Sequence, residues 1–275
     1  MRKVQLRKTG EQIPVLGQGT MGIKGGKDKE YYETWKTSIR KGIELGMTHI
    51  DTAELYNFGT SERIIGEVIK EYDRDDLFIT SKLFPKHFGY NSMIKACNKS
   101  LERLDIKYLD LYLVHFPSFV LSKIKKHMRV MEQLLNEGKI RYIGVSNFSV
   151  DQFKEADSLL KNSEIVANQL RANIKNQKHI HYSLPYFRKE GVILTAYSPL
   201  GHRGYTNLKG DLRSKLDQIA ESHEATIQQI ALAWLINHEN VIAIPKAFRV
   251  KHTEENAAAA EIKLSEEEIK QISNI

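Results

Sequence analysis

The chain has 275 residues, 41% hydrophobic and 27% charged, with 17 glycines and 6 prolines, a balance that excludes a disordered, fibrous or low-complexity polymer. Charged residues interrupt every apolar stretch short of membrane-spanning length, and the basic start MRKVQLRKTGEQ lacks the apolar core of a signal peptide. Lysine and arginine (41) exceed aspartate and glutamate (34) to give a net charge of +7, but the basic residues are spread out, so no nucleic-acid partner is expected. The single Cys97 can form neither an internal disulfide nor a zinc cage, which points to the cytoplasm.

The segment VQLRKTGEQIPVL (4–16) reads as a hairpin around Thr9-Gly10, suited to plugging the bottom of a barrel. Eight strand-like runs follow: 14–19, 47–51, 77–82, 109–115, 140–146, 164–169, 191–198 and 240–246. Helical periods fill the gaps at 33–45, 61–71, 92–104, 123–136, 150–161, 183–189, 212–222 and 226–237, with further helices at 252–260 and 265–274. Near-continuous apolar strands alternating with helices imply parallel βα units, about 34 residues each. The expected fold is α/β: a single (β/α)8 TIM barrel over residues 1–275, with an N-terminal β-hairpin and additional helices near the C-terminus. A doubly wound sheet is the competing topology. It lacks the G-x-G-x-x-G after an early strand, since GQGTMGIKGG has the wrong spacing.

A barrel's reactive face lies at the carboxyl ends of its strands. Three successive strands end there in Asp51, Lys82 and His115, and Tyr56 stands in the loop after the first of them. A lone strand-end polar residue means little, and a lone turn tyrosine is usually a packing residue. Together they make a plausible proton-transfer group: a phenol whose pKa is lowered by Lys82, with Lys82 held by Asp51 and His115 orienting a carbonyl. The other histidines are scattered, so no metal site is expected.

The motifs GMTHIDTAELYNFGTSERIIG (46–66), LFITSKL, LYLVHFP, IGVSNF, AYSPLG (196–201) and IPKAFRVKHTEEN (244–256) run nearly the whole chain. In this order they resemble the aldo-keto reductases. The resemblance implies a barrel that binds NADPH across its mouth, NADH more weakly, and reduces aldehydes and ketones to alcohols. By position Asp51, Tyr56, Lys82 and His115 match the family's catalytic four, with Tyr56 the proton donor. Ser146, Asn147 and Gln169 match ligands of the nicotinamide carboxamide, and Tyr197 matches the ring that stacks on nicotinamide. Gly19, Thr20, Met21 and Asp51 would line the cofactor from the early strands, and Ser198, Leu200 and Gly201 would fold over its pyrophosphate. Lys246, Ala247, Arg249, His252, Glu255 and Asn256 would surround the adenosine phosphate. Here the chain departs from the family's usual serine and arginine, carrying Ala247 and His252 instead, with Arg249 and Lys251 as substitute charge.

The substrate pocket would be lined by Met21, Tyr56, Phe84, His115 and Phe116. It would be open, because the 116–122 loop is short and no long C-terminal loop walls it. Small carbonyl compounds are the expected partners, without a membrane, and the protein is expected to be a monomer or weak oligomer. Two alternatives stay open: a non-catalytic NADPH-binding regulatory barrel, and a metal-assisted hydrolase on the same fold.

Overall fold

The computed structural model describes every residue except 85, 86, 88, 118–120, 202–204, 206, 207 and 275, and leaves out the side chains of 121 and 122. Part of the 116–122 loop therefore lies outside the described residues. The N-terminal hairpin is present, with β1 (Lys3–Gln5) antiparallel to β2 (Gln12–Pro14) and Val4 opposite Ile13. Gly10 adopts a left-handed φ of 80° in its turn, a conformation glycine takes at no steric cost.

Eight parallel strands follow: β3 (Gln18–Gly19), β4 (His49–Asp51), β5 (Phe78–Leu83), β6 (Leu109–Val114), β7 (Ile140–Ser146), β8 (Ile165–Arg171), β9 (Ile193–Tyr197) and β10 (Val241–Ala243). They pair in sequence order. Leu16 bridges Ala243, and Gly19 N donates to Pro245 O at 3.0 Å, so the last strand returns to the first and the barrel closes. The doubly wound alternative is thereby set aside.

Helices α1 (Lys29–Glu44), α2 (Thr60–Ile69), α3 (Tyr90–Leu104), α4 (Leu121–Asn136) and α5 (Val150–Ser158) cover the first strands. They are followed by α6 (Lys178–Tyr182), α7 (Leu184–Glu190), α8 (Gly210–Ser222), α9 (Ile227–Asn237), α10 (Val250–Ala258) and α11 (Glu266–Ser273). Most element ends differ by a few residues from the sequence reading, strands β3 and β10 being shorter than their apolar runs, and two differences have a clear cause. Helix α1 begins four residues before position 33, because the Asp28 side chain caps it by accepting from Tyr31 N at 2.8 Å. Between β8 and β9 the chain forms two short helices rather than one, the first too short for its period to register.

The barrel interior follows from the two-residue period of a strand. Leu111 and Leu113 of β6, Phe78 of β5, Ile193 of β9 and Ile242 of β10 form an inner apolar cluster. Gly144 of β7 faces it, where a Cβ would approach Leu111 Cδ1 at 3.1 Å. Leu6 and Ile13 of the hairpin join this cluster, both at most 1% exposed, and so plug the amino-terminal end of the barrel. The larger apolar cluster lies between sheet and helices. Among the described residues, no helix is long and apolar enough to cross a membrane.

Candidate active site

The same period carries the inner face of each strand to a functional side chain at its carboxyl end. His49 leads to Asp51, Phe78 and Thr80 to Lys82, Leu111 and Leu113 to His115, and Ile193 and Thr195 to Tyr197. All six strands from β4 to β9 deliver a predicted residue to one mouth, since Ser146 ends β7 and Gln169 lies near the end of β8.

Lys82 is fully buried, and its ammonium has three acceptors: Asp51 Oδ1 at 2.6 Å, Thr52 O at 2.7 Å and Tyr56 Oη at 3.2 Å. Three donors meet three acceptors, so the buried charge is fully satisfied. The other Asp51 oxygen, Oδ2, accepts from Gln169 Nε2 at 2.7 Å. Burial works against the Lys82 charge, but Asp51 and Tyr56 outweigh it and hold the ammonium's pKa above the ordinary lysine value. Burial raises the Tyr56 phenol above its ordinary value, and Lys82 offsets only part of this. The expected lowering of the phenol's pKa is therefore not observed, because desolvation of the phenolate is the larger effect. His115 is held neutral, its pKa brought down to about 3 by burial and then by the Lys82 charge. Its ring meets the Tyr56 ring edge-on, with centroids 6.1 Å apart.

A second set of hydrogen bonds adjoins the first. Tyr197 Oη donates to Asn147 Oδ1 at 2.9 Å, and Asn147 Nδ2 donates to His115 O at 3.1 Å and Ser146 Oγ at 3.0 Å. Ser146 Oγ donates to Gln169 O at 3.0 Å. Amide and hydroxyl groups thus stand beside a half-buried aromatic ring, the donor set a carboxamide-bearing heteroaromatic ring requires. Asn147 and Ser198 hold left-handed backbone, with φ of 63° and 49°. Such strain is typical of residues fixed at a binding site.

The Aldo/keto reductase family profile matches residues 15–275. The chain belongs to this family. It is 36% identical to methylglyoxal reductase YeaE of Escherichia coli strain K12 over 98% of this chain and 93% of that protein. It is also 36% identical to glyoxal reductase of Bacillus subtilis strain 168, over 96% and 89%. Among solved structures, the thermostable aldo-keto reductase Tm1743 in complex with the inhibitor epalrestat superimposes with a TM-score of 0.92. It shares 43% identity over 100% of this chain and 99% of that one. An aldo/keto reductase from Klebsiella pneumoniae in complex with NADP and acetate gives 0.89 at 32% identity, over 100% and 95%.

On the far side of this aldo-keto reductase's mouth, Gly19 ends β3 while Thr20 and Met21 follow it, and Thr20 Oγ1 donates to Asp51 O at 2.9 Å. Exposed Lys246 lies against Gly22, where a Cβ would stand 3.1 Å from Nζ, and the Gly22 φ of 124° favours glycine between the loops after β3 and β10. Ala247 O accepts from Ser38 Oγ at 3.0 Å, and Arg249 immediately precedes α10 without a side-chain capping bond. His252 Nδ1 lies 3.0 Å from Glu255 Oε2, and Lys251 Nζ lies 4.0 Å from Glu255 Oε1. Lys251, expected as substitute charge, and His252, in the place of the family's arginine, thus both lie against the Glu255 carboxylate. Asn256 is buried beneath them. After β9, Leu200 packs on the core, while Gly201, with a φ of 64°, borders open space. These residues fit a dinucleotide: amide donors and an aromatic ring at one end, an exposed cation in a glycine notch at the other.

The rim is apolar. Met21 is 65% exposed, and Phe116 is 39% exposed and stacked on the His115 ring at 4.6 Å. Phe84 is half-buried, and its N–H donates to Glu54 Oε1 at 2.7 Å. Leu55 and Phe58, not among the expected pocket residues, are further exposed apolar side chains in the loop that carries Tyr56. Large apolar residues inside a glycine-containing loop were the available signal. Cys97 is buried in α3 and its thiol is pushed up to about 12, which makes it inert. Among the described residues, no three metal-ligating side chains cluster closely enough to hold an ion.

Proposed function

We propose that residues 1–275 form one catalytic domain that reduces small aldehydes and ketones with NADPH, with Tyr56 as the general acid. The observation that carries this is Lys82 Nζ bridging Asp51 Oδ1 and Tyr56 Oη at the barrel mouth. The family match, the relatives named methylglyoxal and glyoxal reductase, and the neighbour solved with NADP support the reaction class. Small carbonyl compounds flanked by apolar groups suit the rim of Met21, Leu55, Phe58 and Phe116.

When bound, NADPH supplies the hydride. Ser146, Asn147 and Gln169 would hold its carboxamide and Tyr197 its ring, while Lys246 would meet its 2′-phosphate. The chain's own residues supply the proton. Lys82 donates to the phenol oxygen, which leaves the Tyr56 O–H free to donate to the carbonyl oxygen. As that proton leaves, the phenolate forms beside an ammonium that Asp51 keeps charged and in place. Neutral His115 directs the substrate oxygen as a hydrogen-bond donor, not as an acid. The raised phenol pKa keeps the donor protonated through neutral pH.

Tyr56→Phe keeps the ring and removes the proton. Turnover should fall by about 10²–10⁴-fold, the worth of a positioned general acid. NADPH affinity, read by fluorescence titration, should stay nearly unchanged. A kcat within about threefold of wild type removes Tyr56 from this role.

A further inference from the structure

Behind β5, on its helix-facing side, a carboxylate is buried in the first turn of α2. Glu62 of α2 is fully buried, with Oε2 2.6 Å from Arg103 Nε of α3 and Oε1 accepting from Ser81 Oγ at 2.7 Å. Arg103 also donates to Ser100 Oγ at 3.2 Å. Such a pair is a poor stabiliser, since burying both charges costs about as much as their attraction returns. Its placement is more telling. Ser81 immediately precedes Lys82 in β5, and the guanidinium lies directly under Gly59, where a Cβ would fall 3.0 Å from Arg103 Cζ.

Gly59 closes the loop that presents Tyr56, and that loop is strained. Asn57, Phe58 and Gly59 have successive φ values of 48°, 53° and 80°. A phenylalanine strains its backbone in the left-handed region, and 89% of Phe58 is exposed, so its own packing does not hold it there. The anchors lie on either side: Asn57 Nδ2 donates to Ile23 O at 2.5 Å, and Arg103 supports Gly59 from below.

We propose that the Glu62–Arg103 pair is a positioning device that ties the strained Tyr56 loop to β5 and thereby sets the contact between the Tyr56 hydroxyl and Lys82. Neither residue touches substrate or cofactor. The proposal rests on Tyr56 being the proton donor, and it adds what keeps the donor in register. Tyr56 faces Lys82 from β5, Asp51 from β4, His115 after β6 and Tyr197 from β9, and Lys82 is the cation among them.

The test is Arg103→Met together with Ser81→Ala, which keeps the ion pair and cuts its tie to β5. For Arg103→Met, kcat for aldehyde reduction should fall about 10–100-fold, the scale of a roughly 1 Å misplacement. KM and NADPH affinity should stay within about twofold. The alkaline limb of the kcat–pH profile should move to higher pH, because a phenol drawn off the ammonium holds its proton more tightly. Ser81→Ala should do the same by less. A lowered melting temperature with kcat and the limb unmoved would mean a purely structural pair and overturns the proposal. Should Arg103→Met fail to fold, the limb of Ser81→Ala decides: moved supports, unmoved overturns. Tyr56→Phe, run in parallel, separates the two readings. If it retains activity, the proton-donor assignment fails; if it is inactive while both other variants behave as wild type, only the positioning role fails.

Discussion

Lys82 near the end of β5 and Lys246 in the loop after β10 are both lysines on the carboxyl side of the barrel, and their surroundings differ. Lys82 has every ammonium proton matched to an acceptor, and on the proposed function its charge serves the Tyr56 phenol. Lys246 is exposed in a glycine notch, and no carboxylate among the described residues lies within salt-bridge distance of it, so its charge is available to a ligand. His252 stands where the family usually has arginine, and Glu255 Oε2 sits 3.0 Å from its Nδ1. Lys246→Ala should therefore weaken NADPH binding by about 1–3 kcal/mol, the scale of a charge-assisted hydrogen bond. NADH binding should barely change. His252→Arg should add less, on the order of 1 kcal/mol or below, because Glu255 competes for the new guanidinium. Fluorescence titration of both cofactors against wild type and the two variants checks this. Equal weakening of NADH and NADPH by Lys246→Ala would remove this loop from the 2′-phosphate.

The hairpin β1–β2 and the carboxyl-end loops divide the barrel into a stabilising end and a reactive end. Leu6→Ala in the hairpin should cost about 2–5 kcal/mol, the price of a cavity at a fully buried leucine. It should leave kcat unchanged, since the plug lies at the opposite end from Tyr56. A loss below about 0.5 kcal/mol by urea denaturation, the scale of a surface substitution, would show that the hairpin does not fill the barrel. The elements were largely legible because period and length are local signals: strand runs ending in Asp51, Lys82 and His115 already pointed to one mouth. What stayed hidden depends on long-range pairing. Gln169 meets Asp51 across 118 positions, and Glu62 meets Arg103 across 41. On a helix period Glu62 and Arg103 read as ordinary solvated charges, and only the packing of α2 on α3 buries them. The strain at Phe58 is equally silent, since φ is not written in residue type.

Across the whole molecule, buried imidazoles set the response to acid. His49 in the barrel interior, His127 in α4 and His238 after α9 are each held neutral with pKa values near 4, and His115 near 3, chiefly by burial. In the unfolded chain an imidazole titrates near about 6.5. Folded pKa values are thus depressed, and between roughly pH 6.5 and pH 4 the unfolded chain binds more protons than the folded one. Stability is fully present above about pH 6.5 and is lost as pH falls through this window. Each histidine contributes on the order of 1–3 kcal/mol, so a few together rival the entire stability of an ordinary domain. The melting temperature should be flat near neutrality, drop steeply below about pH 6, and drop less steeply in His127→Gln, which no longer titrates. The chain's net charge of +7 adds general repulsion in the same direction. Salt separates the two effects: about 0.5 M screens exposed charges but leaves the desolvation of a buried imidazole untouched. A pH dependence abolished by that salt would assign acid unfolding to surface repulsion, and a slope that His127→Gln leaves unchanged would clear this histidine of any part in it.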